Sequence, residues 1–200
     1  HIACSTIFIA SGGRINVNAK GFDGRSNNTG YGPGGGSSRG GGGYGGRGGG
    51  NGGGNTYGSA EAPEEPGSGG GGYTTPSAGK KGGGAVRIEA PGGAVTVNGA
   101  ITADGENAVN YSGAGSGGAI YITCGALAGT NGSISATGGD VEDTSDAGGG
   151  GGRIAVVYDP AVQSNTPLPS IVFRTHPRKS ATGIPIGGIG SLYFPDTQFL

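Results

Sequence analysis

Glycine content constrains this chain more than any other feature of its sequence. Glycine supplies 53 of the 200 residues, and it loses more backbone entropy on folding than any other residue. Hydrophobic residues make up only 32% of the chain, which is below the share found in ordinary globular domains. The composition therefore predicts a thin fold, in which small side chains face inward and backbones hydrogen-bond to one another.

A repeat gives this thin fold its expected form. Val86, Ile120 and Ile154 follow one another at intervals of 34 residues, and each comes after a run of glycines. The segments that they open alternate β-branched residues with other residues, which is typical of half-buried strands. Units of this length at fixed spacing are typical of solenoids. We therefore predict an all-β, glycine-rich solenoid, and specifically a right-handed parallel β-helix.

The predicted solenoid has a defined register and defined boundaries. One column should contain Val86, Ile120 and Ile154, and the neighbouring column Ile88, Ile122 and Val156. Further strands are predicted near residues 95–102, 134–136, 171–174 and 187–194, and residues 9–18 align with residues 89–98 as an earlier copy. No helix is predicted. The solenoid should cover residues 1–160, with a glycine-rich insertion at 21–84, and residues 161–200 should continue or cap it.

The centre of the insertion, residues 30–54, is open to two interpretations. Nearly all of it is glycine with serine, arginine, asparagine and tyrosine, which is typical of a disordered linker. The alternative is a set of extended, polyproline II-like glycine chains packed side by side, since only glycine permits such close approach. Tyr31, Tyr44 and Tyr57 recur every 13 residues. These tyrosines favour the ordered alternative, because their rings supply apolar surface that a packed layer can bury.

Five segments carry a resemblance to a known class of protein. They read GGAVRIEA, VTVNGAITADG, SGGAIYIT, SISATGG and GGGRIAV. Their order resembles the glycine-rich repeat regions of large secreted, β-helix-like bacterial surface proteins, over about residues 5–160. The glycine tract separately resembles the polyglycine layers of phage tail-fibre adhesins. Both resemblances imply an extracellular adhesive or surface-layer role, and neither carries a functional residue over to this chain.

The sequence predicts an extracellular structural or adhesive protein without enzymatic activity, one module of a cell-surface fibre or adhesin. A net charge of −1 gives no electrostatic footprint for nucleic acid, and the apolar stretches are too short to insert into a membrane. No cofactor is expected, apart from the calcium considered below, and glycans are candidate partners. The apolar first and last segments predict end-to-end association, because uncapped strands invite pairing. Pairing with further strands of one longer solenoid is the competing interpretation.

Two other functions stay open on particular residues. Four carboxylates lie within seven residues, at Asp140, Glu142, Asp143 and Asp146. They could bind calcium, serve a carbohydrate-active β-helix enzyme, or form a solvated acidic loop. Arg39 and Arg47, each followed by two glycines, resemble the RGG segments of RNA-binding proteins.

Five further residues are candidates for covalent modification. Asn27, Asn110 and Asn131 each begin an N-x-S/T sequon near a predicted turn, where a glycan could be accommodated. Cys4 and Cys124 are the only cysteines. They could form a disulfide in an oxidising compartment, or they could be two small buried thiols.

Overall fold

The computed structural model describes residues 1–73, 77–142, 146–177 and 186–199. Within these ranges, ten strands pair in parallel to form two sheets, and the single helix is four residues long. The strands are β1 Ile2–Ala3, β2 Ile7–Ile9, β3 Arg14–Asn16, β4 Ala85–Val97, β5 Ala100–Thr102, β6 Ala119–Ala128, β7 Thr130–Ser135, β8 Arg153–Tyr158, β9 Ser170–Arg174 and β10 Ser191–Tyr193. Helix α1 is Pro160–Gln163.

The two sheets preserve the predicted register. The first sheet has the order β1-β4-β6-β8-β10, with β2 also paired to β4, and the second has the order β3-β5-β7-β9. Val86 lies opposite Ile120, and Ile120 lies opposite Ile154. The neighbouring column of Ile88, Ile122 and Val156 is formed in the same way. Both predicted columns are confirmed, and their central members are completely buried.

The prediction of a right-handed parallel β-helix is wrong. The protein is mostly parallel β-sheet, in two sheets, and the described residues of the long connections between the sheets form no strand. Residues 103–118, for example, join β5 to β6 and hydrogen-bond to neighbouring segments without forming a regular strand. A solenoid of regular strands requires side chains that stack in columns on every face. The glycine-rich connections lack those side chains and pack through their backbones instead.

Two smaller predictions are also wrong. The alignment of residues 9–18 with residues 89–98 does not give the pairing register: Ile9 lies opposite Val97 and not Glu89, and Ile15 lies opposite Ile101 and not Val95. Helix α1 was not predicted either. Asp159 caps it by accepting hydrogen bonds from two backbone N–H groups, and Pro160 is its first residue. This combination is a known helix-start signal in sequence.

The glycine-rich segments assemble into what we call the glycine layer, which consists of residues 40–54, 67–72, 113–118 and 148–152. Its segments hydrogen-bond across large separations in sequence. The N–H of Gly42 donates to the carbonyl of Ala114, and the N–H of Gly150 donates to the carbonyl of Gly42, each over 2.9 Å. A Cβ atom on Gly42 would lie 2.2 Å from the carbonyl oxygen of Ser68. The tract at 30–54 is therefore ordered, and its core is buried.

Two tyrosines and an arginine join the glycine layer to the first sheet. Tyr44 is fully buried, and its ring centroid lies 4.7 Å from that of Tyr57. Arg153, on β8, lies 5.3 Å from the Tyr44 centroid and donates to the carbonyl of Tyr57 from Nε and Nη2, at 2.9 and 2.7 Å. Burial raises the pKa of Tyr57 to about 12. Tyr31 is exposed and Tyr57 is only partly buried, so the expected burial is complete for Tyr44 only.

Two adjacent glycines of the layer test whether close backbone approach is required. A Cβ on Gly149 would lie 1.9 Å from the carbonyl oxygen of Gly115, whereas the nearest atom to a Cβ on Gly148 is 3.4 Å away. We expect Gly149→Ala to lower the free energy of unfolding by about 3 kcal/mol, because the backbones must separate. Gly148→Ala should change it by less than about 1 kcal/mol. Urea denaturation of both variants measures the difference, and equal effects would contradict this account of the layer.

Arg153 provides a second test, of the link between layer and sheet. In Arg153→Lys, a single ammonium group replaces the planar guanidinium. The guanidinium donates two hydrogen bonds to the Tyr57 carbonyl and stacks on the Tyr44 ring. We expect the free energy of unfolding to fall by about 1.5–3 kcal/mol, the range for hydrogen bonds to charged groups. The exposed Arg174→Lys is the matched control and should have little effect. Loss of the same stability in both variants would show that Arg153 has no special role.

Candidate functional site

The two ends of the strand stack form the candidate site for the predicted self-association. The first edge comprises β1, β2 and β3, and Ile2, Ile7 and Ile15 of these strands are only partly buried against the core. The last edge comprises β10 with the aromatic residues Phe194 and Phe199. No described strand pairs with the outer side of β1 or β10. Each edge therefore presents unpaired backbone groups beside apolar side chains.

The exposure of core residues changes along the columns. Ile88, Ile122 and Val156 are completely buried, whereas Ile2, which is opposite Ile88 on β1, is only partly covered. In the adjoining column, Leu192 of β10 is opposite the fully buried Ile154 but is itself 41% exposed. Among the described residues, the hydrophobic columns thus continue to β1 at the first edge and to β10 at the last edge.

Aromatic residues cover part of the last edge. The rings of Phe173 and Phe194 meet edge to face at 5.2 Å, and those of Phe194 and Phe199 meet in the same way at 5.0 Å. Phe199 also lies 4.9 Å from the ring of Tyr158. Residues 194–199 therefore pack against β9 of the second sheet and β8 of the first sheet, and they leave β10 as the outermost described strand of the first sheet.

Asparagine and aspartate side chains hydrogen-bond one 34-residue repeat to the next. The sequence analysis did not predict these hydrogen bonds. Asn98 Oδ1 accepts from the N–H of Thr130, and Asp104 Oδ1 accepts from the N–H of Thr137, each at 2.8 Å. Their separations of 32 and 33 residues are close to the 34-residue repeat. Polar residues recurring near this spacing after the strands were the signal that could have found them.

The acidic segment takes part in the same connections. Asp146 is buried, and its Oδ1 accepts from the N–H of Ser112 at 2.8 Å, while the N–H of Asp140 donates to Asn107 Oδ1 at 3.0 Å. Glu142 is exposed, and Asp143 lies outside the described residues. Within the part of the chain that is described, no three metal-binding side chains come together. The calcium site stays a prediction.

The three sequon asparagines share one backbone property. Asn27, Asn110 and Asn131 are all exposed, and their φ angles are +52°, +56° and +57°. Asparagine is among the few residues other than glycine that enter this left-handed region readily. Turn geometry alone accounts for asparagine at these positions, and glycosylation stays a prediction.

The two cysteines do not form a disulfide; both are free thiols. The N–H of Cys4 bonds to Glu89 of β4, and Ala90 of β4 lies opposite Cys124. Strand β4 therefore separates the cysteines by two strand spacings, about 10 Å, beyond the roughly 7 Å between Cα atoms that a disulfide allows. Cys124 is buried and Cys4 is partly exposed, so the buried-thiol interpretation holds for Cys124.

The two RGG-like arginines lie in different surroundings. The Arg39 guanidinium lies 5.2 Å from the ring centroid of Tyr73 and 6.0 Å from that of Tyr111. Arg47 is exposed beside the glycine layer. The structure therefore brings Arg39, but not Arg47, together with tyrosines that are distant in sequence.

Four surface clefts bear on the enzymatic alternative. They have volumes of about 230 to 360 Å³, and each is lined by at most one carboxylate. A glycosidase of the usual kind needs two carboxylates flanking its substrate. These clefts give the enzymatic alternative no support.

Comparison with known proteins identifies no relatives. No family model, curated protein or solved structure matches this chain. Among the described residues, no helix has the length and apolar character needed to cross a bilayer.

The separated cysteines should differ in reactivity. Only the thiolate reacts with maleimides, and burial raises the pKa of Cys124 to about 12. We expect one thiol per chain to be labelled at pH 8 in the native protein and two in denaturant. Peptide mass spectrometry should place the native label on Cys4. Cys4→Ser should abolish native labelling, whereas Cys124→Ser should leave it intact. A chain that takes up no label until it is reduced would contradict the separation.

Proposed function

We propose that this chain is a structural module of an extracellular fibre or adhesin, which extends by stacking at its first and last edges. The observation that carries the proposal is the open hydrophobic core: buried columns that end at both edges in partly exposed residues such as Ile2 and Leu192. An edge strand that presents unpaired backbone groups beside exposed apolar side chains is a template for pairing with another chain. The described outer strands β1 and β10 are of this kind.

Strand direction supports head-to-tail stacking. Every strand pair is parallel, so β1 of one copy can continue the sheet beyond β10 of another in the same orientation. The two surfaces in this contact are different, so the association is heterologous. A heterologous contact that does not close produces a filament.

The fold also specifies the dimensions of such a filament. The first sheet has five strand positions along its stacking direction. With about 4.8 Å between strands, one copy would advance the filament by about 24 Å. Strands perpendicular to the filament axis would give the meridional spacing of about 4.8 Å that is typical of cross-β order.

The surface chemistry agrees with a structural role. The clefts lack paired carboxylates, and the sequence segments resemble secreted surface proteins, which supports placing the module outside the cell. The glycine layer and the sheets share a dense backbone network, so the module would act as a rigid spacer.

Self-association of the purified chain tests the proposal. We expect the wild type to form filaments as its concentration rises, with an axial repeat of about 24 Å in electron micrographs and fibre diffraction. Leu192→Lys should prevent filament growth, because an edge lysine disfavours further strand pairing. Ile2→Lys should do the same from the first edge.

Val162→Lys is the matched control. Val162 is an apolar residue that is 43% exposed, close to the 41% of Leu192, but it lies in helix α1 and not on an edge strand. Filaments should form as in the wild type. A wild-type chain that remains monomeric at all concentrations, as measured by sedimentation, would contradict end-to-end stacking.

A further inference from the structure

One end of the molecule concentrates an unusual backbone conformation. Seven described residues other than glycine have a positive φ. Five of them lie in three loops that meet at this end: Asn27, Ser38, Arg39, Asn110 and Tyr111. The loops are adjacent because the N–H of Gly71 donates to Gly40 at 3.0 Å and the N–H of Gly113 donates to Gly71 at 2.7 Å. The N–H of Arg25, beside the loop of Asn27, donates to the neighbouring Gly70 at 3.3 Å.

Glycine would be the favourable residue at these positions, and this chain has abundant glycine. Ser38, Arg39 and Tyr111 have φ angles of +47°, +70° and +63°, and none of them is asparagine, which enters this region readily. Residues with a Cβ pay a steric cost in this region that glycine does not. Backbone strain of this kind is found at functional sites. The presence of Arg39 and Tyr111 at such positions points to a role for their side chains.

These side chains form a surface of stacked aromatic and cationic groups. Arg39 lies between Tyr73 and Tyr111, and the Arg25 guanidinium lies 5.0 Å from the Tyr31 ring centroid. The three rings are 52–61% exposed. Neither arginine forms an ion pair with a described acidic residue. We call these five residues the tyrosine–arginine end.

A polar cleft lies within the same loops. It has a volume of about 360 Å³ and is lined by Asn27, Asn28, Thr29, Ser37, Ser38, Gly72 and Tyr73. The described lining residues offer amide and hydroxyl groups, which both donate and accept hydrogen bonds, and none of these residues is a carboxylate. Its volume is within the range of small-molecule sites.

We infer that the tyrosine–arginine end binds an anionic glycan. Sugar rings present apolar faces that stack on exposed tyrosines and hydroxyl groups that match amides and hydroxyls of the cleft. A carboxylate on the sugar would pair with Arg39 or Arg25, since the guanidinium fork matches carboxylate geometry. Nucleic acid is less well matched, because its binding depends on many cations aligned along a phosphate backbone, and this end has two arginines. The inference deepens the adhesive part of the proposed function.

The strain at residues 38 and 39 allows binding to be separated from stability. In Ser38→Gly/Arg39→Gly, the backbone conformation becomes unstrained while the stacked arginine is lost. We expect this variant to bind alginate, a polyuronate, at least about tenfold more weakly, as for loss of a charge-assisted contact. Its urea midpoint should be unchanged or higher. Arg25→Gln, which leaves the backbone unaltered, should also weaken binding.

Ala19→Gly is the matched control. Ala19 has a φ of +52° but lies outside these three loops, so its replacement should leave alginate binding unchanged. All titrations are made on the Leu192→Lys background, so that failure of filament formation and failure of glycan binding are read separately. Neutral dextran and polyuridylate serve as the comparison ligands.

The outcomes decide the inference. Alginate binding that exceeds dextran binding and falls in both loop variants supports it. No alginate binding by the parent chain, equal binding of dextran, or tighter binding of polyuridylate overturns it. If the double-glycine variant has a lower urea midpoint but still binds alginate, the Arg39 side chain stabilises its loop and does not bind the glycan.

Discussion

Direct hydrogen bonding between glycine backbones, at separations too small for a Cβ atom, is the interaction on which the rest of the structure depends. Gly42 bonds to two segments that lie about 70 and 110 residues further along the chain. Contacts of this kind remove the need for a thick hydrophobic core, because each segment satisfies the polar groups of the next. They also offset the entropy that so many glycines lose on folding.

The molecule therefore combines two kinds of packing. In the sheets, aliphatic columns such as Ile88, Ile122 and Val156 are stabilised by burial of apolar surface. In the glycine layer, backbone contacts take the place of side-chain contacts. Arg153 joins the two, since it belongs to β8 and holds the carbonyl of Tyr57 at the boundary of the layer. Coupled in this way, sheet and layer form a rigid scaffold.

That scaffold separates the two proposed functions in space. Stacking uses the outer faces of β1 and β10, where the hydrophobic columns end. The proposed glycan binding uses the loops of the tyrosine–arginine end. There Arg39 and Tyr111 adopt a backbone conformation that is better suited to glycine. Extension of the stack would repeat the tyrosine–arginine end at regular intervals, and a row of weak sites binds a polymer with far higher avidity than one site.

The sequence by itself determined the register of β4, β6 and β8, because aliphatic side chains at Val86, Ile120 and Ile154 carry both a period of two and a repeat of 34 residues. It could not determine how the glycine segments pair, since glycine has no side chain to mark which neighbour it meets. That is why the β-helix prediction was wrong. The separation of Cys4 from Cys124 by β4 likewise follows only from the three-dimensional order of the strands. Tertiary structure alone decided these features, because backbone hydrogen bonds are the same for every residue and leave no pattern in sequence.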